Sequence, residues 1–170
     1  MASRFGGDFA LVKGASRRNA AAVSTVIASL RAWSPSATAD AVGDITVSAS
    51  GRTVFVGGRS AGGYAQAYGP NVGGSPVWNV ATDGDVEALA ISASNVLYVG
   101  GHFTSVGPAG RGHLAAFSPT GAVLTWNPGA DGVFGAFGVA IRGGHVAFGG
   151  EFTQVNGQPH QGVVQFSGTP

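Results

Sequence analysis

The stretch VEALAISASNVLYVGG, residues 86–101, alternates apolar with small or polar side chains in two short runs and closes on a pair of glycines. Alternation with a period of two predicts β-strands, with Val86 on one face of the first strand and Leu89 on the other. Ser94 and Asn95, which lie between the two runs, predict a tight turn that pairs the strands as a hairpin.

Two further strands are predicted after this hairpin. HLAAF, residues 113–117, follows a loop, and AVLTW, residues 122–126, follows a Pro-Thr-Gly turn. The segment from Asp85 to Asn127 therefore predicts a sheet of four short strands. A unit of four strands in about 40–50 residues is typical of one blade of a β-propeller.

The glycine pair recurs along the chain at 6–7, 57–58, 100–101 and 149–150, with spacings of 51, 43 and 49 residues. A tryptophan recurs in the same rhythm, with spacings of 45 and 48 residues. This periodicity predicts an all-β fold, a β-propeller built of four-stranded antiparallel blades with about 3.5 blades in this chain. Residues 1–170 are then one partial propeller domain, with repeats at approximately 1–39, 40–84, 85–131 and 132–170.

Two of the repeats depart from this pattern. The second repeat has a shorter loop between its second and third strands. In the first repeat, Val23, Ile27 and Leu30 fit helical spacing and Asn19 suits a helix cap. Alignment with the other repeats favours strands for residues 19–32, and the helix stays open as the alternative.

The glycines and aromatic residues have a packing interpretation. A glycine at the end of a strand lets another backbone or a ring approach closely. An aromatic residue follows three of the four glycine pairs, as Phe9, Phe103 and Phe152. We expect these phenylalanines, and the three tryptophans, to pack between neighbouring blades.

The composition excludes several classes of function. With nine basic and eight acidic residues the net charge is +1, which provides no field to attract nucleic acid. The absence of cysteine removes disulfides, thiolate nucleophiles and cysteine-ligated zinc. No apolar stretch reaches the roughly 18 residues of a membrane span. The first residues, MASRFGGDF, lack the pattern of a signal peptide.

The segments at 99–128, VGGHFTSVGPAGRGHLAAFSPTGAVLTWNP, and at 148–166, FGGEFTQVNGQPHQGVVQF, share one pattern. The glycine pair and aromatic residue of both segments, with Trp126 in the first, resemble the kelch repeat. The finer pattern is similar to the delta-sixty repeats of secreted bacterial β-propellers. This resemblance implies a propeller fold and an extracellular or cell-surface location, and it brings no assigned catalytic residue.

The ends of the second and fourth strands of every blade share one face of a propeller, and the loops at that face are where ligands commonly bind. Their residues differ between repeats, which fits a non-repeating ligand or solvent better than a repeated metal site. The candidate ligand-binding residues are Asp8, Arg59, His102, Glu151, Arg111, His160, Asp83 and Asp131. The aspartates also suit an ordinary role in turns.

No motif points to catalysis. The four histidines have no zinc-binding spacing, and there is no nucleophile elbow. Asp83-Gly84-Asp85 offers oxygen ligands for calcium but lacks the spacing of a calcium loop. We therefore predict no catalytic residue, no metal site and no cofactor, and calcium stays open as the alternative.

These observations predict a non-catalytic extracellular or surface module that interacts with a protein or a glycan, or that takes part in a structural assembly. Two alternatives stay open: an enzyme domain on a propeller, such as a glycosidase or a quinone-dependent dehydrogenase, and a bare structural fragment. Because an incomplete ring exposes raw strand edges, we also expect the chain to be part of a larger propeller or a homo-oligomer.

Overall fold

A computed structural model of the chain describes residues 2–36, 40–59, 62–71 and 74–168. Within these ranges the regular elements are β-strands and none is a helix. All named strand pairs are antiparallel. The prediction of an all-β fold is confirmed.

The main strands form four antiparallel sheets in chain order. Sheet 1 contains β1 (Ala2–Gly6) and β4 (Ala20–Ser24). Sheet 2 contains β5 (Val42–Val47), β6 (Val54–Gly58), β7 (Tyr64–Tyr68) and β8 (Trp78–Ala81). Sheet 3 contains β9 (Asp85–Ile91), β10 (Leu97–His102) and β13 (Leu114–Phe117). Sheet 4 contains β14 (Gly135–Arg142), β15 (His145–Glu151) and β18 (Val163–Ser167).

Three small hairpins extend from sheets 1, 3 and 4 after the glycine pair. They are hairpin 1, with β2 (Leu11–Val12) and β3 (Ala15–Ser16); hairpin 2, with β11 (Ser105–Val106) and β12 (Ala109–Gly110); and hairpin 3, with β16 (Gln154–Val155) and β17 (Gln158–Pro159). The segment after Phe103, predicted as a plain loop, is therefore itself paired.

The fourth strand predicted at 122–126 is wrong. Val123 forms a single bridge with Phe117, and the Leu124 amide donates to the carbonyl of Ala116 at 2.8 Å, after which the chain leaves the sheet. The ring of Trp126 still stacks on Phe148 in sheet 4, with 5.9 Å between ring centroids, as Trp78 in β8 stacks on Phe117. Sheet 2 alone among the described sheets has four named strands.

Residues 19–32 contain no helix. Residues 20–24 form β4, and Val23 makes a bridge with Leu30. The strand prediction for this segment is confirmed and the helical alternative is wrong. Asn19 has φ of 65° at the entrance to β4 instead of capping a helix.

A β-bulge interrupts the first strand of sheets 2, 3 and 4, opposite the glycine pair. The residues left out of the register are Gly43, Glu87 and Phe137. An extra residue reverses the alternation of faces, so Val86 and Leu89 enter the same buried cluster. The prediction that they occupy opposite faces is wrong for this reason.

Consecutive sheets stack on one another. The first strands pack in series, with β5 against β9 and β9 against β14. A buried apolar cluster lies between each successive pair of sheets, and together these clusters make up the core. Burial of this apolar surface is the main stabilising contribution.

The first glycine of three of the four pairs provides the close approach between sheets. A Cβ atom on Gly57 would lie 2.6 Å from Cγ1 of Val86, and one on Gly100 would lie 2.8 Å from Cβ of Ala136. At Gly6 the side chain of Val42 occupies the same place. The expectation that these glycines permit close approach is confirmed.

The tryptophans bridge sheets in the same way. Trp78 stacks on Phe117 of sheet 3 at 5.9 Å, and the Trp33 ring meets the edge of Tyr68 in sheet 2 at 6.3 Å. Phe103 and Phe152 are buried in the clusters between sheets. Inter-sheet packing is confirmed for the tryptophans, Phe103 and Phe152, whereas Phe9 is only partly buried and packs on Phe5 of its own sheet.

Asp44 connects sheets 2 and 3 by a hydrogen bond. Its carboxylate accepts from the backbone amide of Leu89 and from that of Ile45, both at 2.7 Å. Burial raises the pKa of Asp44, although these two bonds alone would lower it. The carboxylate thus satisfies an amide at the free edge of β9.

Replacing Gly100 with alanine tests the close approach between sheets 3 and 4. The new methyl group would overlap with Ala136, which has no rotamer with which to move away, so we expect a loss of about 1–3 kcal/mol in the free energy of unfolding. Urea denaturation measures it. The control is Gly110→Ala, where a Cβ meets nothing within 4 Å. Equal effects of the two substitutions would contradict the packing argument.

Candidate functional site

Two of the residues that follow a glycine pair, Arg59 and His102, lie where one sheet meets the next. Arg59 forms an ion pair with Glu87, the bulge residue of sheet 3. His102 places its ring 5.5 Å from that of Phe134, which precedes β14 of sheet 4. We call Arg59, Glu87, His102 and Phe134, with Val133, the rim. The rim brings two of the predicted residues, Arg59 and His102, to equivalent inter-sheet positions.

An insertion in the fourth repeat creates the apolar part of the rim. Two residues separate Asp83 from Val86, whereas four separate Asp131 from the equivalent Ala136. The added Val133 and Phe134 are 62% and 49% exposed. Sequence reasoning missed them, although the difference in spacing between the two repeats was a usable signal.

Asp83 and Asp131 perform the same structural task in two repeats. The carboxylate of Asp83 accepts hydrogen bonds from the amides of Thr104 and Ser105, both at 2.8 Å, and from the Thr104 hydroxyl at 2.6 Å. Asp131 accepts from the equivalent groups of Thr153 and Gln154 at 2.7–2.8 Å. Each aspartate therefore holds the base of a hairpin, which is the turn-stabilising role expected for it.

These hydrogen bonds govern the acidity of both aspartates. Partial desolvation alone would raise the pKa of Asp83, but the bonds from Thr104 and Ser105 lower it to about 2. Bonds from Gln154 and Thr153 lower the pKa of Asp131. Both carboxylates are charged at neutral pH and their oxygens already have donors.

Arg111 holds hairpin 2 against the segment that follows β13. Its guanidinium donates to the carbonyls of Gly110 and Leu124, both at 2.7 Å. Arg17 makes the matching bonds in the first repeat, to the carbonyls of Ser16 and Arg31. Because its terminal nitrogens already bond backbone oxygens, Arg111 is positioned for structure more than for a ligand. His160 occupies the same repeat position in hairpin 3.

A groove of about 620 Å³ lies on sheet 4 and brings together two more predicted residues. Asp131 and Glu151 line it with Phe137, Gln161 and the glycine pair at 149–150. Phe137, the bulge residue, is 55% exposed. Asp8 and Asp83 are not among the residues that line this groove.

In the three repeats that have a phenylalanine after the glycine pair, the residue ten positions after that phenylalanine has positive φ and immediately precedes the third strand. Asn19 and His113 both have φ of 65°, and Gly162 has φ of 73°. His113 is buried, with its ring nitrogens 3.1 Å and 3.2 Å from the carbonyl oxygens of Gly101 and Gly132. It is therefore a structural residue that connects sheet 3 to the start of sheet 4.

The described ranges lack two features that would indicate a function, a metal-binding group and a membrane-spanning helix. They contain no group of three or more histidine, aspartate or glutamate side chains placed to hold a metal ion. In the same ranges, no helix has the length and apolar character to cross a membrane.

No model of a known protein family matches this chain. A search of curated proteins likewise found no match.

Replacing Asp83 with alanine tests the hairpin clamp. Because the folded pKa of about 2 is below the ordinary 3.8, the carboxylate contributes stability above about pH 4, and this contribution is lost as the pH falls toward 2. We expect a loss of about 1–2 kcal/mol at pH 7.

Urea unfolding at pH 7 and at pH 2.5 measures this difference, with Asp8→Ala as the control substitution of another exposed acid. The gap between wild type and Asp83→Ala should narrow at the lower pH. A gap that stays constant would show that the carboxylate charge is not what holds hairpin 2.

Proposed function

We propose that this chain is a non-catalytic interaction module on a β-propeller scaffold and that it binds a partner protein through the rim. The observation that carries this proposal is the pair formed by His102 and Phe134, exposed together at the junction of sheets 3 and 4. Exposed apolar side chains grouped beside polar ones mark interaction sites on soluble proteins.

The scaffold part of the proposal is supported by the way the sheets repeat. Three of the four glycine pairs receive a side chain from the next sheet, and each tryptophan contacts an aromatic ring of the next sheet. Stacking of short antiparallel sheets by one repeated contact is the arrangement of propeller blades. The resemblance to delta-sixty repeats agrees with this architecture and supports an extracellular or cell-surface location.

The chemistry of the rim favours a protein partner. Val133 and Phe134 offer an apolar surface, His102 offers ring nitrogens, and Arg59 with Glu87 adds an ion pair at the next junction. Aromatic and arginine residues are enriched at protein interfaces, where a few of them provide most of the binding energy. The predicted ligands Asp83 and Arg111 are not part of the rim. Asp83 accepts a hydrogen bond from the Thr104 amide and Arg111 donates one to the Leu124 carbonyl, so both hold hairpin 2 in place.

Rigidity supports the same proposal. The hydrogen bonds of the aspartates hold the bases of hairpins 2 and 3, and the junction contacts hold the rim itself. A surface whose residues are already ordered loses less conformational entropy on binding. Loops carried on a rigid scaffold are the usual place for recognition.

A displayed library of random peptides, selected on the immobilised chain, tests the proposal. The double variant Phe134→Ala/His102→Ala should bind the enriched peptides at least about tenfold more weakly, because it removes the apolar anchor and its neighbour. The control is Val77→Ala, which changes a valine that is 75% exposed outside the rim. Calorimetry gives the dissociation constants.

Peptides that bind the double variant as tightly as wild type, or a library that yields no enrichment, would contradict the rim as a protein-binding surface. A glycan array probed in parallel separates the two partner classes. Glycan binding that His102→Ala abolishes, without peptide enrichment, would replace the protein partner with a glycan.

A further inference from the structure

The described residues leave one face open on each outer sheet. The downstream face, on sheet 4, points away from sheet 3. The upstream face, on sheet 1, points away from sheet 2. The downstream face comprises Ala140, Ala147, Gly149, Val163 and Gln165, and the upstream face comprises Phe5, Phe9, Val12 and Val23.

Burial at equivalent positions shows that the downstream face is one side of a sheet-to-sheet contact that has no second side among the described residues. Val163 is 65% exposed. Leu114 of sheet 3 and Ala65 of sheet 2, which hold the same place in their repeats, are both 0% exposed because the next sheet covers them. Gly149 is also not covered by another sheet, since a Cβ atom there would meet nothing closer than 3.9 Å.

The residues of the upstream face are likewise less buried than their equivalents in other sheets. Phe5 and Phe9 are only partly buried, and their rings pack on each other at 5.5 Å. The same two positions in sheet 3, Val99 and Phe103, are 0% and 1% exposed because they pack against sheet 2. Sheet 1 therefore presents the surface that elsewhere in this chain is inserted against a preceding sheet.

The two open faces complement each other in size and charge. Sheet 4 has the small Ala147 where sheets 2 and 3 have Phe55 and Tyr98, which leaves room for bulkier side chains opposite it. The upstream face offers two phenylalanines, Phe5 and Phe9. In charge, Arg142 lies beside Ala140 at the end of β14 and is exposed, so its guanidinium can stay in solvent while the uncharged residues of the two faces pack together.

We propose that two copies of this chain associate head to tail, with the downstream face of each copy against the upstream face of the other. This contact uses the same second- and third-strand positions as the three internal sheet-to-sheet contacts, but without a first strand, which sheet 1 lacks among the described residues. Two such contacts close a ring of eight sheets, a number found among propellers, and closure removes the open faces. The inference rests on the propeller scaffold proposed above and names the surfaces of its self-assembly.

Light scattering coupled to size exclusion, over a concentration series, tests the proposal. Wild type should have twice the 16.8 kDa chain mass. Val163→Glu on the downstream face, and Phe9→Glu or Val12→Glu on the upstream face, should each weaken association at least about 100-fold, because each buries an unpaired charge. The matched control is Val26→Glu, which makes the same change at a valine that is 83% exposed in the turn after β4.

Mixing the variants tests the head-to-tail direction. Copies with Val163→Glu retain an intact upstream face, and copies with Phe9→Glu retain an intact downstream face. A mixture should therefore form a mixed dimer through one intact contact, although each variant alone stays monomeric. Circular dichroism of each variant, with Val12→Glu as the second upstream variant, separates lost association from lost folding.

A monomeric wild type at every concentration would overturn the proposal, and so would a mixture that forms no mixed dimer. Loss of the dimer in Val163→Glu but not in Phe9→Glu or Val12→Glu would indicate contact between two downstream faces instead. A series of oligomers larger than a dimer would overturn the closed ring of two chains. Peptide binding by monomeric Val163→Glu keeps this outcome separate from the rim proposal, because His102 and Phe134 are unchanged there.

Discussion

The structure depends on the absence of a side chain at the first glycine of the first three pairs, Gly6, Gly57 and Gly100. Val42, Val86 and Ala136 each occupy the space that a Cβ atom would take in the preceding sheet. That close approach sets the distance between sheets, and the aromatic contacts of Trp33, Trp78 and Trp126 then form across the same junctions. Stability is thus shared among repeated neighbour-to-neighbour interfaces, and no single central core carries it.

Sequence alone was sufficient for the fold class and for the residues that join the sheets, since alternation, glycine pairs and recurring tryptophans are local patterns. It was insufficient where tertiary packing decided the conformation. The bulge at Glu87 changed which face Leu89 occupies, and the segment predicted as a strand at 122–126 keeps only a single bridge, between Val123 and Phe117. Neither effect is visible in the periodicity of one strand, because both are decided by its pairing with a neighbouring strand.

The candidate site was predictable in position but less so in chemistry. His102 and Arg59 were identified from their place after a glycine pair, and both lie at the junctions between sheets. Their partners Phe134 and Glu87 come from the next repeat, so no reading of one repeat reveals them. Arg111 was chosen for its charge, whereas its guanidinium hydrogen-bonds backbone carbonyls. Charge in a loop indicates a ligand only when the backbone does not already use it.

The bulges also bear on how such a chain can diversify. Gly43, Glu87 and Phe137 occupy one equivalent location yet are a glycine, an acid and an aromatic residue. A bulge residue has no cross-strand partner in the hydrogen-bonded ladder, so a mutation there leaves the pairing register intact. At Gly43 the carbonyl oxygen of Val86 occupies the place of a Cβ atom, whereas Glu87 and Phe137 carry side chains, so sheets 3 and 4 each have one position where new specificity can arise while the architecture is inherited unchanged.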